Sequence, residues 1–136
     1  MNRRPQTIVF ACVHNAGRSQ MAASLFNIVA DPRKAHALSA GTAPGERVYA
    51  EVVTAMREVG IDLSAAVPRL VTPELVADAT WLITMGCGDS CPLVPGTLRE
   101  DWPLGDPHGQ SPARVRQIRD EIQQRVRQFV VDHQLL

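Results

Sequence analysis

A chain of 136 residues, 45% of them hydrophobic, is long enough for one sizeable core, and residues 1–136 read as a single domain. Lysines plus arginines number 14, as do aspartates plus glutamates, so bulk charge gives no case for nucleic acid or an anionic membrane surface. No apolar run approaches the ~20 residues that span a bilayer.

The start, Met1-Asn2-Arg3-Arg4-Pro5-Gln6, is polar, and the apolar run behind it, about five residues, is too short for a signal peptide. The expectation is a cytoplasmic protein, in which the three cysteines suit catalysis, redox chemistry or metal binding better than a structural framework. Thr7-Ile8-Val9-Phe10-Ala11 predicts a buried strand. A short loop follows from Cys12, and a helix opens near Arg18, with Met21, Leu25, Phe26 and Val29 at helical spacing. Asp31-Pro32-Arg33-Lys34 is a break, and residues 36–40 predict a strand closed by Gly41. Residues 46–59 predict a second helix with Val48, Val52, Ala55, Met56 and Val59 on one face, stopped by Gly60. Arg69-Leu70-Val71 reads as a short strand before a helix capped by Thr72, with Pro73 at its first position. Residues 81–85 predict a strand, 91–112 a Pro-rich irregular tract, and 112–131 a last helix with Val115, Ile118, Ile122, Val126 and Phe129 inward. Strands alternating with helices imply right-handed crossovers and an α/β fold: a four-stranded parallel sheet between helical layers.

The densest chemistry lies in Cys12-Val13-His14-Asn15-Ala16-Gly17-Arg18-Ser19. A cysteine at the C-terminal end of a strand, followed by a loop and a helix N-terminus, stands where open parallel sheets bind ligands. The amides of Val13, His14, Asn15, Ala16 and Gly17 would form an oxyanion nest with the helix dipole behind it. The same field stabilises a thiolate. Arg18 adds a planar fork of donors for a tetrahedral oxyanion, Ser19 a hydroxyl for the sulfur, and Asn15 an amide to brace the loop. The plain alternative is a buried structural cysteine beside a surface arginine. No Gly-Lys-Ser/Thr closes the loop, so it is not a nucleotide P-loop.

Two further groups could do chemistry, and the first, following a strand of the same parallel sheet, should lie on the Cys12 edge. Cys87 and Cys91 follow the strand ending at Met85, and three readings stay open: a redox pair, one functional cysteine with a bystander, or two metal ligands. Zinc needs about four ligands, and no second cysteine pair or histidine cluster completes a set, so no metal is expected. A helical Cys87-to-Cys91 segment would set the Cα atoms about 6 Å apart, within disulfide range. Asp106, in Asp101-Trp102-Pro103-Leu104-Gly105-Asp106-Pro107-His108-Gly109, is ordinary turn chemistry in isolation; beside a thiolate that attacks an oxyanion it becomes a proton donor for the departing oxygen. His108 is a weaker candidate donor, and His36 and His133 have no constellation around them.

The C-x5-R-S run at a strand end and the late Asp-Pro loop together resemble the low-molecular-weight protein tyrosine phosphatase superfamily. Within it, Arg18-Ser19-Gln20-Met21-Ala22, Leu38-Ser39-Ala40-Gly41 and the extra cysteines look like the arsenate reductases that share the fold. The resemblance implies that Cys12 attacks arsenate held by the loop amides and Arg18, with Asp106 as general acid. Cys87 then attacks the Cys12 sulfur and expels arsenite, and Cys91 attacks Cys87 to leave a disulfide for thioredoxin. It further implies no bound cofactor, an external thiol reductant, phosphate or sulfate as arsenate mimics, and a monomer without nucleic-acid or membrane partners. Two departures matter. The later cysteines stand closer together than in thioredoxin-coupled relatives, which leaves a low-molecular-weight thiol such as mycothiol with a glutaredoxin-like partner as another route. Ala23 replaces a glutamate that contributes to a potassium site in some members.

The runner-up is a phosphatase in which Cys12 takes the phosphoryl group and Asp106 protonates the tyrosyl oxygen. Against it, His108-Gly109 follow the Asp-Pro where that branch usually carries aromatic residues, and Cys87 and Cys91 would be idle. A third reading is a non-enzymatic arsenic- or redox-responsive binding protein, which leaves Arg18 and the nest without a purpose.

Overall fold

The computed structural model describes residues 4–87 and 90–136. Met1, Asn2 and Arg3 of the polar start, and Gly88 and Asp89 of the cysteine loop, lie outside the described residues. The chain runs β1 (Gln6–Cys12), α1 (Arg18–Val29), β2 (Ala35–Gly41), α2 (Ala50–Arg57), α3 (Pro73–Ala77), β3 (Trp81–Thr84), β4 (Leu98–Asp101) and α4 (Pro112–Asp132). The strands pair in parallel in the order β2-β1-β3-β4. In register, Cys12 lies opposite Gly41 and Ala11 opposite Thr84. The C-terminal ends of β1, β2 and β3 therefore open onto one edge.

β1 is covered on both faces, which is why it reads as a continuous apolar run rather than an alternating one. Ile8, Phe10 and Cys12 face the larger core with Met21 and Phe26 of α1, Val52 and Met56 of α2, and Ile118, Ile122 and Phe129 of α4. Val9 and Ala11 face a smaller cluster with Val76 of α3, Leu82, Cys87 and Cys91. The result is a three-layer α/β fold with a thick helical layer and a thin one. Thr72 caps α3 as expected, its hydroxyl accepting from the Leu75 amide at 3.2 Å. The predicted inward residues of α4 are all buried.

The strand assignment needs correction. Arg69-Leu70-Val71 is not a sheet strand; it makes a single bridge, Leu70 to Gly41. The fourth strand is β4, inside the tract expected to be irregular. Its sequence Leu98-Arg99-Glu100-Asp101 pairs only with β3, so as an edge strand it has little apolar content to betray it. α2 is also shorter than the predicted 46–59. The Tyr49 amide donates to the Ala16 carbonyl at 2.9 Å, and this holds the preceding chain against the Cys12 loop rather than in a helical turn. Past Arg57 the chain turns at Gly60, whose φ of +84° suits glycine, and Val59 is left 38% exposed rather than inward.

A charged lock ties α2 to α4. Arg116 donates to both Glu58 carboxylate oxygens, and the buried Arg119 donates to Glu58 Oε1 and to the Ala55 carbonyl, both at 2.8 Å. Hydrogen bonds from Arg116 and then Arg119 hold the Glu58 carboxyl at about 2, below its ordinary 4.5. The native value is the lower one, so this contribution to stability is present above pH 4.5 and fades as pH falls toward 2. Glu58→Gln is expected to melt below the wild type at pH 7, with the two melting temperatures converging on acidification. Equal melting temperatures at pH 7 would mean that solvent screening cancels the lock.

Candidate active site

Loop 12–18 is built by turning its carbonyls away. The Cys12 carbonyl accepts from Thr42 N (3.1 Å), Val13 from Ala43 N (2.8 Å), His14 from Gly45 N (2.9 Å) and Ala16 from Tyr49 N (2.9 Å). The Asn15 carbonyl accepts from Gln20 Nε2 at 3.2 Å. In a trans peptide the carbonyl of one residue and the amide of the next point to opposite sides. Five carbonyls bonded outward therefore turn the amides of Val13, His14, Asn15, Ala16 and Gly17 to the other side of their peptide planes. No side chain caps α1, so its first turn adds to this set rather than being sealed.

Asn15 braces the loop from within. It is fully buried at φ +50°, a left-handed conformation that asparagine tolerates better than most residues. Its Nδ2 donates to Ser19 Oγ at 2.7 Å, and its Oδ1 accepts from the Arg69 amide at 3.0 Å and from Gln20 Nε2 at 3.3 Å. Ser19 Oγ lies 2.9 Å from Cys12 Sγ. With Cys12 as thiolate only the hydroxyl can donate, so Asn15 fixes Ser19 and Ser19 stabilises the sulfur. Gly41 lets β2 approach closely: a Cβ there would stand 2.6 Å from the Val13 carbonyl oxygen.

Residues 104–109 close over this loop. Arg18 Nη1 donates to the Leu104 carbonyl at 3.1 Å. Pro107 seats on Gly17, where a Cβ would come within 2.8 Å of Pro107 Cγ. Asp106 is exposed, and its Oδ1 accepts from the His108 amide at 3.0 Å. Tyr49 stands at the same mouth: burial, then the negative charges of Asp106 and Cys12, push its phenol above the ordinary value. The His108 ring stacks on Tyr49 with centroids 4.2 Å apart, and His108 Nδ1 lies 3.6 Å from Glu51 Oε1.

Cys87 and Cys91 are joined in a disulfide with Cα atoms 6.0 Å apart, and Cys12 is free and buried. Cys87 Sγ lies 3.8 Å from the carbonyl of Ala11, the residue before Cys12. Among the described residues no three His, Cys, Asp or Glu side chains are grouped to hold a metal ion. No helix among them is long and apolar enough to cross a membrane.

A strand–loop–helix anion nest with a buried cysteine at its base and an Asp-Pro loop across its mouth invites comparison with known proteins. The family model for low molecular weight phosphotyrosine protein phosphatase matches residues 7–135. The chain belongs to this family. A Halobacterium salinarum protein that carries the provisional name arsenate reductase is 41% identical over 122 residues, 86% of this chain and 85% of that protein. Arsenate reductase 2 of Staphylococcus saprophyticus is 32% identical over 128 residues, 91% of this chain and 95% of that protein. Among solved structures, the thioredoxin-dependent arsenate reductase of Corynebacterium glutamicum is 33% identical with a TM-score of 0.83. That match takes in 99% of this chain, which spans 65% of the Corynebacterium chain.

Of the residues that sequence reading singled out, Cys12, Asn15, Arg18, Ser19, Asp106 and the cysteine pair lie toward one edge of the sheet. The His14 ring turns away to the Ala43 carbonyl, with Nδ1 3.0 Å from it. Two residues of the site escaped that reading. Gln20 sits in the quoted Arg-Ser-Gln run, but its grip on Asn15 depends on a left-handed turn that no local pattern announces. Tyr49 is the chain's one tyrosine, and its place was hidden because a helix was expected to run through it. Asn15→Ala removes one buried donor and one multiply used acceptor, so a loss of roughly 2–3 kcal/mol is expected in urea unfolding. Phosphate affinity is expected to fall with it; unchanged unfolding and affinity would mean that Asn15 does not hold the loop.

Proposed function

We propose that this chain reduces arsenate to arsenite, with Cys12 as nucleophile and Cys87 and Cys91 supplying the two electrons. The observation that carries the reading is a Cys87–Cys91 disulfide at the sheet edge that also bears a free cysteine in an oxyanion loop. Phosphoryl transfer has no use for such a pair, whereas a thiol relay ends in this arrangement. The names borne by the relatives point the same way.

The loop amides and Arg18 hold three oxygens of the tetrahedral oxyanion. The Cys12 thiolate, steadied by the Ser19 hydroxyl, attacks arsenic to form an S–As bond. Asp106 gives the proton that lets an oxygen depart as water. The Cys87 thiolate next attacks Cys12 Sγ. The S–As bond breaks with its electron pair kept by arsenic, which falls from the +5 to the +3 state, and arsenite leaves. Cys91 then attacks Cys87 Sγ, freeing Cys12 and leaving the Cys87–Cys91 disulfide.

A dithiol protein of the thioredoxin type returns two electrons, with a small thiol such as mycothiol and a glutaredoxin-like protein as the other route. Cys87 and Cys91 are 7% and 2% exposed, so a partner reaches the disulfide only after it is uncovered. Every group named comes from one chain, so a monomer suffices, and the reducing cytoplasm suits free thiols. The mouth argues against an aryl phosphate. A ring sandwiched between Tyr49 and His108 needs about twice the ~3.5–4.0 Å contact distance, whereas their centroids stand 4.2 Å apart.

The test is arsenite release from arsenate with thioredoxin, its reductase and NADPH, beside a small-thiol system and a p-nitrophenyl phosphate control. Cys12→Ser is expected to abolish all activity. Cys87→Ser is expected to stop turnover while leaving any phosphate release from the aryl ester. Wild-type turnover by both Cys87→Ser and Cys91→Ser with thioredoxin would remove the relay. Brisk phosphate release without arsenite would make the protein a phosphatase.

A further inference from the structure

Arg18 is held from two sides. On one, its Nη1 donates to the Leu104 carbonyl at 3.1 Å, on the segment that leads into Asp106. On the other, the guanidinium packs against Gly86, the residue before Cys87, with Nη1 nearest. A Cβ built at Gly86 would stand 2.5 Å from Arg18 Nη1, 3.1 Å from Cζ and 3.3 Å from Nη2. Three guanidinium atoms inside ordinary contact distance mean that the group occupies the space a side chain at residue 86 would need. Gly86 also has φ +101°, which glycine alone adopts without penalty.

We propose that Gly86 is a positioning residue for oxyanion capture: its missing side chain is what lets the Arg18 guanidinium lie between the Leu104 carbonyl and the Cys87 loop. The proposal rests on reading the Cys12 loop as an oxyanion site. A guanidinium binds a tetrahedral oxyanion through two parallel N–H bonds, so its usefulness depends on plane and angle as well as charge. Any side chain at residue 86 displaces a flexible tip rather than backbone. The protein can therefore fold around the substitution, and the loss falls on Arg18's placement.

Backbone strain and displacement of Arg18 are separable because the chain supplies a control. Gly96 has φ +91° and nothing within 4 Å of a built Cβ, so Gly96→Ala carries the same kind of backbone penalty with no neighbour to move. The experiment measures inorganic phosphate binding to the disulfide form by calorimetry, together with the Arg18 Nε–Hε resonance. Gly86→Ala is expected to raise the phosphate Kd at least tenfold and to shift that resonance. Gly96→Ala is expected to leave the Kd within twofold and the resonance in place. Gly86→Asn carries the same Cβ on a residue that accepts positive φ more readily, and it replaces the alanine variant if that variant does not fold. Wild-type affinity and an unmoved Arg18 resonance in a folded residue-86 variant overturn this inference alone. A wild type that does not bind phosphate overturns the oxyanion reading and this inference with it.

Discussion

The architecture of the site depends on one constraint: the carbonyls of residues 12–16 must point out of the loop. A run of peptide groups crossing a sheet edge would ordinarily present donors and acceptors alike. Here the segment from Thr42 to Tyr49 and the Gln20 side chain take up the acceptors. What remains on the inner side is donors, with a helix N-terminus added to them. Each bond contributes only about 0.5–1.5 kcal/mol net, but together they set the sign of the local field. The loop between β2 and α2 therefore shapes loop 12–18 through its main chain alone. It also explains why α2 begins late: Tyr49 is held to Ala16 before the helix can start.

That dependence runs across elements far apart in sequence, and it divides what the sequence shows from what it hides. β1, α1 and α4 were legible because burial imposes a period or an unbroken apolar run on their residues. Cys12, Arg18 and Ser19 were legible because their chemistry is concentrated in one short stretch. The cysteine pair was legible as strand-end residues that a parallel sheet brings to the Cys12 edge, and Asp106 only as a carboxyl in an Asp-Pro loop, with no strand before it to say where it sits. β4 was not, because an edge strand with one neighbour needs little apolar content. The reciprocal error, reading Arg69-Leu70-Val71 as a strand, has a physical basis too. Its main-chain atoms do bond to Gly41, with Gly41 N on the Arg69 carbonyl and Val71 N on the Gly41 carbonyl. The same turn of chain spends the Arg69 amide on Asn15 instead of continuing a ladder. Local propensity was right about extended chain and wrong about what that chain pairs with.

The two sulfur chemistries occupy different layers of the fold. Cys12 closes the thick core with α1, α2 and α4, where large side chains such as Phe10, Phe26, Met56 and Ile122 have essentially no exposure. Packing of that kind gives a rigid base, which suits the nucleophile role proposed for Cys12. Cys87 and Cys91 belong to the small cluster, covered by the five-residue α3 and the Pro-rich chain beyond Cys91.

That asymmetry has a thermodynamic meaning. Opening a region costs roughly what its buried apolar contacts and hydrogen bonds contribute, so thin layers open well below the global unfolding free energy. In the proposed relay the disulfide is made inside the protein and then handed to a partner, which needs both states. It must be covered while the thiols exchange with each other and uncovered while an external thiol attacks. Had the pair been set in the thick core, uncovering it would have meant dismantling the sheet that carries Cys12. Placed under α3, it can be exposed while the carbonyl ties that build loop 12–18 stay in place.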